Sequence, residues 1–137
     1  MNAIEAIAPI LVVDDNAVNT ALYERVIRHI PRREAKCFVD AEDALTWSRT
    51  NKVGLLVVDY RMPKLDGVEF IWRFRAMPGK ATVPVIMLTS VSSPVLWQMA
   101  LDAGATTYLA KPINKKRFLE TALKLLAQAE AAAGVDG

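Results

Sequence analysis

Residues 10–16 have the sequence ILVVDDN, in which four apolar residues run directly into two aspartates and an asparagine. A short, continuous run of β-branched and other apolar residues is typical of a strand that is buried on both faces. Asn16 is a favourable helix N-cap, so we predict a helix that follows it and reaches about residue 30, just before Pro31. A buried strand that leads straight into a helix is the repeating unit of an α/β fold.

The same strand-and-helix pattern recurs along the chain, with helix starts marked by Asp40, Asp66, Ser93 and Asn114. The predicted strands cover residues 10–13, 35–39, 54–58, 84–88 and 107–110, and the later helices cover 41–51, 67–77, 94–103 and the region after Asn114. Strands that are apolar on both faces and separated by single helices predict a parallel sheet covered on both sides. Right-handed crossovers then wind the sheet doubly.

The size and composition of the chain exclude several classes of protein. Its 137 residues suit one domain, and a formal net charge of +2 gives no electrostatic case for direct nucleic-acid binding. The single cysteine, Cys37, excludes an internal disulfide and a cysteine-cluster metal site. No apolar run approaches the ~20 residues of a membrane helix, and the N-terminus lacks the pattern of a signal peptide. We therefore expect a cytoplasmic protein without membrane contact.

Polar residues collect at the ends of the predicted strands. Asp14 and Asp15 follow the first strand, Asp59 the third, Thr89 the fourth and Lys111 the fifth. Each residue alone is an ordinary turn or cap residue. The carboxyl ends of parallel strands, however, meet at one edge of the sheet, where open α/β sheets bind ligands. We therefore expect these five side chains to face a single crevice.

Three carboxylates and a lysine together favour phosphoryl chemistry with a bound cation. Clustered carboxylates repel one another, and Mg²⁺ relieves the repulsion because carboxylates, waters and a phosphate oxygen hold it in proteins. A carboxylate can act as a nucleophile and form an aspartyl phosphate. The metal and Lys111 would neutralise charge on the transferred group, and the Thr89 hydroxyl would donate a hydrogen bond to it.

Four segments resemble the receiver domains of two-component signalling. They are ILVVDDN at 10–16, VVDYRMP at 57–63 with the Asp66–Gly67 pair, PVIMLT at 84–89, and GA at 104–105 through YLAKP at 108–112. The resemblance covers about residues 9–127 and implies a flavodoxin-like sheet of order 2-1-3-4-5 with five helices. We expect a receiver domain over residues 1–127, followed over 128–137 by an alanine-rich tail or the start of a linker.

The resemblance also implies roles for individual residues. Asp59 is the implied phosphoacceptor. The phosphoryl group would come from a histidine kinase or a histidine phosphotransfer protein. Asp15 is an implied direct Mg²⁺ ligand, Asp14 acts mostly through water, and the backbone carbonyl of Arg61 is a further ligand. Lys111 is expected to contact the phosphoryl group. Such a protein is a signalling domain and not an enzyme with a separate substrate.

A switch pair and an output surface follow from the same resemblance. Thr89 shifts toward the phosphoryl group and the ring of Tyr108 turns inward, which changes the surface that binds partners. In the family, helix four, strand five and helix five often form the activated homodimer. Ser90 stands where the family usually has Ala or Gly, and Arg61 and Val91 occupy positions that influence the lifetime of the phosphoryl group.

Helical periodicity predicts which residues of the fourth helix are buried. Its sheet-facing positions, spaced as i, i+3, i+4 and i+7, are Leu96, Met99, Ala100 and Ala103. Trp97 and Leu101 lie off that face, where they are either partly exposed as a docking patch or folded against a neighbouring helix. Trp47 and Trp72, on the second and third helices, are expected to be packed.

Two alternatives to a phospho-accepting receiver are open at this point. A phosphohydrolase with an aspartyl-phosphate intermediate would use the same acids, but it typically has a second acid two residues after the nucleophile, where this chain has Arg61. A degenerate receiver used only for binding would lack acceptor residues, and none is missing. His29 is the only histidine and is expected to be solvated, so the phosphohistidine belongs to another protein. The chain either acts alone or belongs to a longer protein with an output domain.

Overall fold

The computed structural model describes residues 7–135. The elements, in chain order, are β1 (Ile10–Val13), α1 (Ala17–Ile27), β2 (Ala35–Phe38), α2 (Ala41–Ser48), β3 (Leu55–Asp59), α3 (Gly67–Arg75), β4 (Val85–Thr89), α4 (Pro94–Ala103), β5 (Thr107–Ala110) and α5 (Lys115–Val135). The strands form one parallel sheet in the order β2-β1-β3-β4-β5. This confirms the predicted flavodoxin-like, doubly wound fold with five helices.

Both faces of the sheet are buried under helices. Along β1, Leu11 and Val13 belong to the core beneath α2, α3 and α4, whereas Ile10 and Val12 belong to the core beneath α1 and α5. Successive side chains of a strand point to opposite faces, so each strand contributes to both cores. Because both faces of the sheet are apolar, the buried polar residues of the strands lie at the edge where the strands have their carboxyl ends.

The helix starts agree with the predicted caps. The side chains of Asn16, Asp40, Asp66 and Ser93 each accept backbone N–H groups from the first turn of the helix that follows. The predicted end of α1 near residue 30 was three residues too late. Residues 28–30 instead form a tighter turn, in which the Ile30 N–H donates to the Ile27 carbonyl at 2.8 Å.

The start of α3 lies directly against the end of β3. The Gly67 N–H donates to the Tyr60 carbonyl at 2.7 Å, and a Cβ atom at Gly67 would lie 2.6 Å from the Asp59 carbonyl oxygen. No other residue fits this approach without a backbone shift. The contact holds the segment that follows Asp59 in a fixed position.

The end of α4 is fastened to α3 by a partly buried arginine. The Arg75 guanidinium donates twice to the Gly104 carbonyl, at 2.7 and 3.0 Å, and also to the carbonyls of Lys80 and Val83. Gly104 caps α4 with φ of +117°, a conformation that favours glycine. This confirms Gly104 as the predicted end of the helix and ties its last turn to the α3–β4 connection.

Two burial predictions were wrong. Trp72 is 66% exposed, because α3 buries the stripe that contains Phe70, Ile71 and Phe74 and turns Trp72 outward. Met99 is 50% exposed, because α4 buries only a narrow stripe through Leu96 and Ala100. The other predictions of this kind agree with the structure: Trp47 packs against Phe38 and Ala103 is partly buried, while Leu101 is exposed and Trp97 half-buried.

Residues 128–135, predicted as a tail or linker start, continue α5. Arg33 fastens this extension: its guanidinium pairs with Glu130 at 3.1 Å and donates to the Ala8 carbonyl at 2.6 Å. Residues 1–6 of the predicted domain and 136–137 of the predicted tail lie outside the described residues.

Within residues 7–135 there is no helix with the length and apolar character that a membrane crossing requires.

Candidate functional site

The three predicted aspartates meet at one edge of the sheet. The pairing of β1 with β3 sets Val13 beside Val58, so that Asp14 and Asp59 follow in adjacent positions. Each of Asp14, Asp15 and Asp59 offers a carboxylate oxygen within 4.8 Å of the others. Asp14 and Asp59 are buried, at 1% and 5% exposure, whereas Asp15 is exposed to solvent. The cluster therefore combines two fixed, desolvated carboxylates with one accessible carboxylate.

Lys111 reaches this cluster from the end of β5. Its ammonium lies 2.7 Å from a carboxylate oxygen of Asp59 and 3.7 Å from one of Asp14. One ammonium cannot balance three carboxylates, so two negative charges are left over when all are ionised. A divalent cation with oxygen ligands supplies the missing charge, and the donor set fits Mg²⁺.

Asp14 is fixed by the first turn of α1. Its carboxylate accepts the Asn16 backbone N–H at 2.9 Å and the Asn19 side-chain amide at 3.2 Å. Asn19 was missing from the site predicted from the sequence. The available signal was its spacing of three residues from the Asn16 cap, which places both on one face of the first helical turn.

Burial and repulsion oppose ionisation of Asp59. Burial, chiefly, and the charges of Asp14 and Asp15 raise the pKa of this carboxyl above 3.8, against the lowering effect of the Lys111 hydrogen bond. The negative field extends further: the pKa of Tyr23, already raised by burial, is raised again by Asp14 and Asp59. A cation bound among these carboxylates would oppose the repulsion and favour the ionised form of Asp59.

Thr89 lies buried at the end of β4, between the strands that carry Asp59 and Lys111. Its hydroxyl oxygen accepts the Val91 N–H at 2.9 Å, which holds the start of the β4–α4 loop. This bond uses a lone pair and leaves the O–H group to donate elsewhere. Thr89 thus joins the crevice to the loop that leads into α4.

Tyr108 lies away from the carboxylates, under α4. Its ring is stacked on that of Trp97, with centroids 4.2 Å apart and planes inclined by 26°. Both rings are half-buried, and the Trp97 indole N–H is buried without a hydrogen-bond partner among the described residues. The aromatic pair lines an open groove of about 530 Å³, together with the rest of β5 and Arg117.

The remaining predicted residues line the same crevice as the aspartates. This cavity of about 260 Å³ is bounded by Asp14, Asp15, Asn16, Asn19, Asp59, Arg61, Thr89, Ser90 and Lys111. Arg61 and Ser90 are exposed at its rim. The crevice is smaller than the groove beside Trp97, but it holds the charged groups. The structure thus brings together every residue of the predicted site except Tyr108.

Comparison with known proteins identifies the family. The family model of the response regulator receiver domain matches residues 10–123. The chain belongs to the response regulator receiver domains. A cyclic di-GMP phosphodiesterase response regulator of Xanthomonas campestris is 37% identical over 118 residues, which are 85% of this chain. The receiver spans only 31% of the length of that relative.

Two solved structures show the same fold over most of the receiver. The chemotaxis protein CheY4 of Vibrio cholerae is 28% identical with a TM-score of 0.82, covering 88% of this chain and 99% of that one. The receiver domain of the sensor histidine kinase PA1611 from Pseudomonas aeruginosa is 27% identical with a TM-score of 0.78, covering 88% of this chain and 98% of that one. That structure has a magnesium ion coordinated in its active-site cleft.

The raised pKa of Asp59 predicts that Asp59→Asn stabilises the protein at neutral pH when divalent cations are absent. Ionising this carboxyl costs free energy in the folded state that the unfolded chain does not share. The advantage of the variant should be complete above the folded pKa. It should shrink as the pH falls below the folded pKa and vanish below 3.8, where the carboxyl is protonated in both states.

Thermal unfolding in EDTA at several pH values measures this difference, at about 4 °C per kcal/mol. Asp43→Asn is the matched control, because Asp43 is an exposed aspartate on α2 and its replacement should change the melting temperature little. A melting temperature below wild type for Asp59→Asn at neutral pH would contradict the charge excess.

Proposed function

We propose that Asp59 accepts a phosphoryl group from a phosphohistidine of a histidine kinase or a histidine phosphotransfer protein. The observation that supports this most strongly is the buried Asp59 carboxylate, held 2.7 Å from the Lys111 ammonium inside a cluster of acids. In the transfer, an Asp59 oxygen forms a bond to phosphorus while the bond from phosphorus to the histidine nitrogen breaks. The released imidazole takes up a proton from solvent.

The surrounding residues position the group and balance its charge. Lys111 faces the attacking carboxylate and would contact a phosphoryl oxygen after transfer. Asp59, Asp15 and the backbone carbonyl of Arg61 would hold Mg²⁺ directly, and Asp14 through water. When bound, Mg²⁺ neutralises negative charge on the transferred group. The Thr89 O–H would donate to the attached phosphoryl group, since its oxygen is already anchored by Val91.

The receiver family comprises signalling domains, and we propose that this chain has no separate substrate. No acid occupies the second position after Asp59, where Arg61 lies exposed at the rim. We place the protein in the cytoplasm, with the receiver unit over residues 1–127. In a longer protein, the end of α5 would lead toward an output domain, as the greater length of the Xanthomonas relative suggests.

The phosphoacceptor assignment predicts the outcome of labelling. With Mg²⁺ and acetyl phosphate, the wild-type chain should gain one phosphoryl group, and Asp59→Asn should gain none because an amide is a poor nucleophile. Asp43→Asn and Thr89→Ala should both be labelled, since neither removes the nucleophile. Intact-mass spectrometry measures the gain, and equal labelling of wild type and Asp59→Asn would rule out the assignment.

The proposed coordination predicts unequal effects of the two neighbouring aspartates on metal binding. Asp15→Asn removes a direct ligand and should weaken Mg²⁺ binding by more than about tenfold. Asp14→Asn should weaken it less, because Asp14 acts through water and already accepts bonds from Asn16 and Asn19. Isothermal titration calorimetry compares the affinities. An affinity of Asp15→Asn equal to that of wild type would be incompatible with this coordination.

We also propose that activation raises self-association through α4, β5 and α5. Trp97 stacks on Tyr108 and Leu101 is exposed, so a turn of the Tyr108 ring would rearrange this surface. Beryllofluoride, a phosphoryl analogue, should raise the sedimenting mass of wild type but not of Trp97→Ala. Thr89→Ala should bind the analogue without the rise in mass. An equal rise in wild type and Trp97→Ala would count against the surface.

A further inference from the structure

A second apolar surface lies between α2 and α3, away from the acidic crevice. Trp72 is 66% exposed there, the largest side chain among the exposed hydrophobic residues of the described part of the chain. Beside it runs an open groove of about 490 Å³ whose apolar lining includes Leu45, Ala76, Met77 and Pro78. An exposed tryptophan next to an apolar groove is typical of the centre of a protein–protein interface.

The charges around this groove would be complementary to those of a second copy of the same groove in one orientation. Glu42, in the first turn of α2, and Arg49, its C-cap, both line the groove. They are seven residues apart, close to two full turns, so they lie on one face of the helix with Leu45 near the midpoint. A second α2 laid antiparallel across the groove would set each Glu42 beside the other Arg49, above the Leu45 side chains, which are buried within each chain.

The ion pairs that are already present keep these charges available. Arg73 donates to Glu69 at 2.7 Å and to one oxygen of Glu42 at 3.3 Å, which leaves the other Glu42 oxygen for a second cation. Arg49 has no ion-pair partner among residues 7–135. A like-charged surface would repel a copy of itself, whereas this one presents an acid and a base at opposite ends of one helix.

We propose that the α2–α3 groove binds a second copy of this chain, in an isologous dimer whose main exposed apolar contact is Trp72. A two-fold axis through the groove places the same surface on both partners, as closed dimers require. The groove contains none of Asp59, Thr89 or Tyr108, so this dimer forms with or without phosphorylation. It is thus separate from the activated association through α4 and goes beyond the proposed function.

Sedimentation velocity of the unphosphorylated chain in EDTA, over a range of concentrations, tests the dimer. Wild type should dimerise, and Trp72→Ala should dimerise about thirtyfold more weakly, as expected for a central interface residue. Leu123→Ala is the matched control, because Leu123 is 45% exposed on α5, on the other side of the sheet, and should dimerise like wild type. Circular dichroism checks that all variants fold.

Charge reversal tests the antiparallel orientation. Glu42→Arg puts a base at both positions 42 and 49, and Arg49→Glu puts an acid at both positions, so each variant alone should be monomeric. An equimolar mixture should form heterodimers, because every contact then joins an acid to a base. Asp59→Asn should dimerise like wild type, whatever the outcome of phosphorylation experiments. Monomeric wild type, equal weakening by Leu123→Ala, or a mixture that stays monomeric would each overturn the proposal.

Discussion

Repulsion among Asp14, Asp15 and Asp59 is the constraint on which the rest of the site depends. The register of β1 and β3 places the carboxylates of Asp14 and Asp59 in adjacent, buried positions. Asp15 lies close to both because it directly follows Asp14 in the chain. Within residues 7–135, the Lys111 ammonium is the one basic group that forms ion pairs with them. The fold tolerates this repulsion because the apolar cores on the two faces of the sheet stabilise the folded state. The excess negative charge is thereby left for a cation to balance.

The fold and most of the site could be predicted from the sequence because their signals are local. Apolar runs predict the strands, cap residues predict the helix starts, and the polar residues that follow each strand predict the crevice. The parallel sheet then brings Asp14, Asp59 and Lys111 together although 97 residues separate the first from the last. The order of the strands is not a local property, and only the resemblance to a family predicted it.

Side-chain details that depend on neighbouring helices could not be predicted in this way. The bond from Asn19 to Asp14 requires the angle at which α1 leaves β1, which no local pattern encodes. Trp72 is exposed because it lies outside the buried stripe of α3, and helical periodicity does not predict how wide that stripe is. Met99 was misplaced for the same reason. Hydrophobicity alone therefore overestimates burial on helices that lie over one side of a sheet.

The attachment of Arg75 to Gly104 determines how α4 can move. Four donated bonds hold the last turn of α4 and the neighbouring connection to α3. The first turn is held differently, through the loop that the Thr89 hydroxyl anchors at Val91. The ten residues of α4 separate these two attachments by about 15 Å. A tilt of about 10° would carry Pro94 by roughly 2.6 Å while Ala103 scarcely moves. A displacement of the Thr89 hydroxyl would thus move the first turn of α4 while the last turn stays in place.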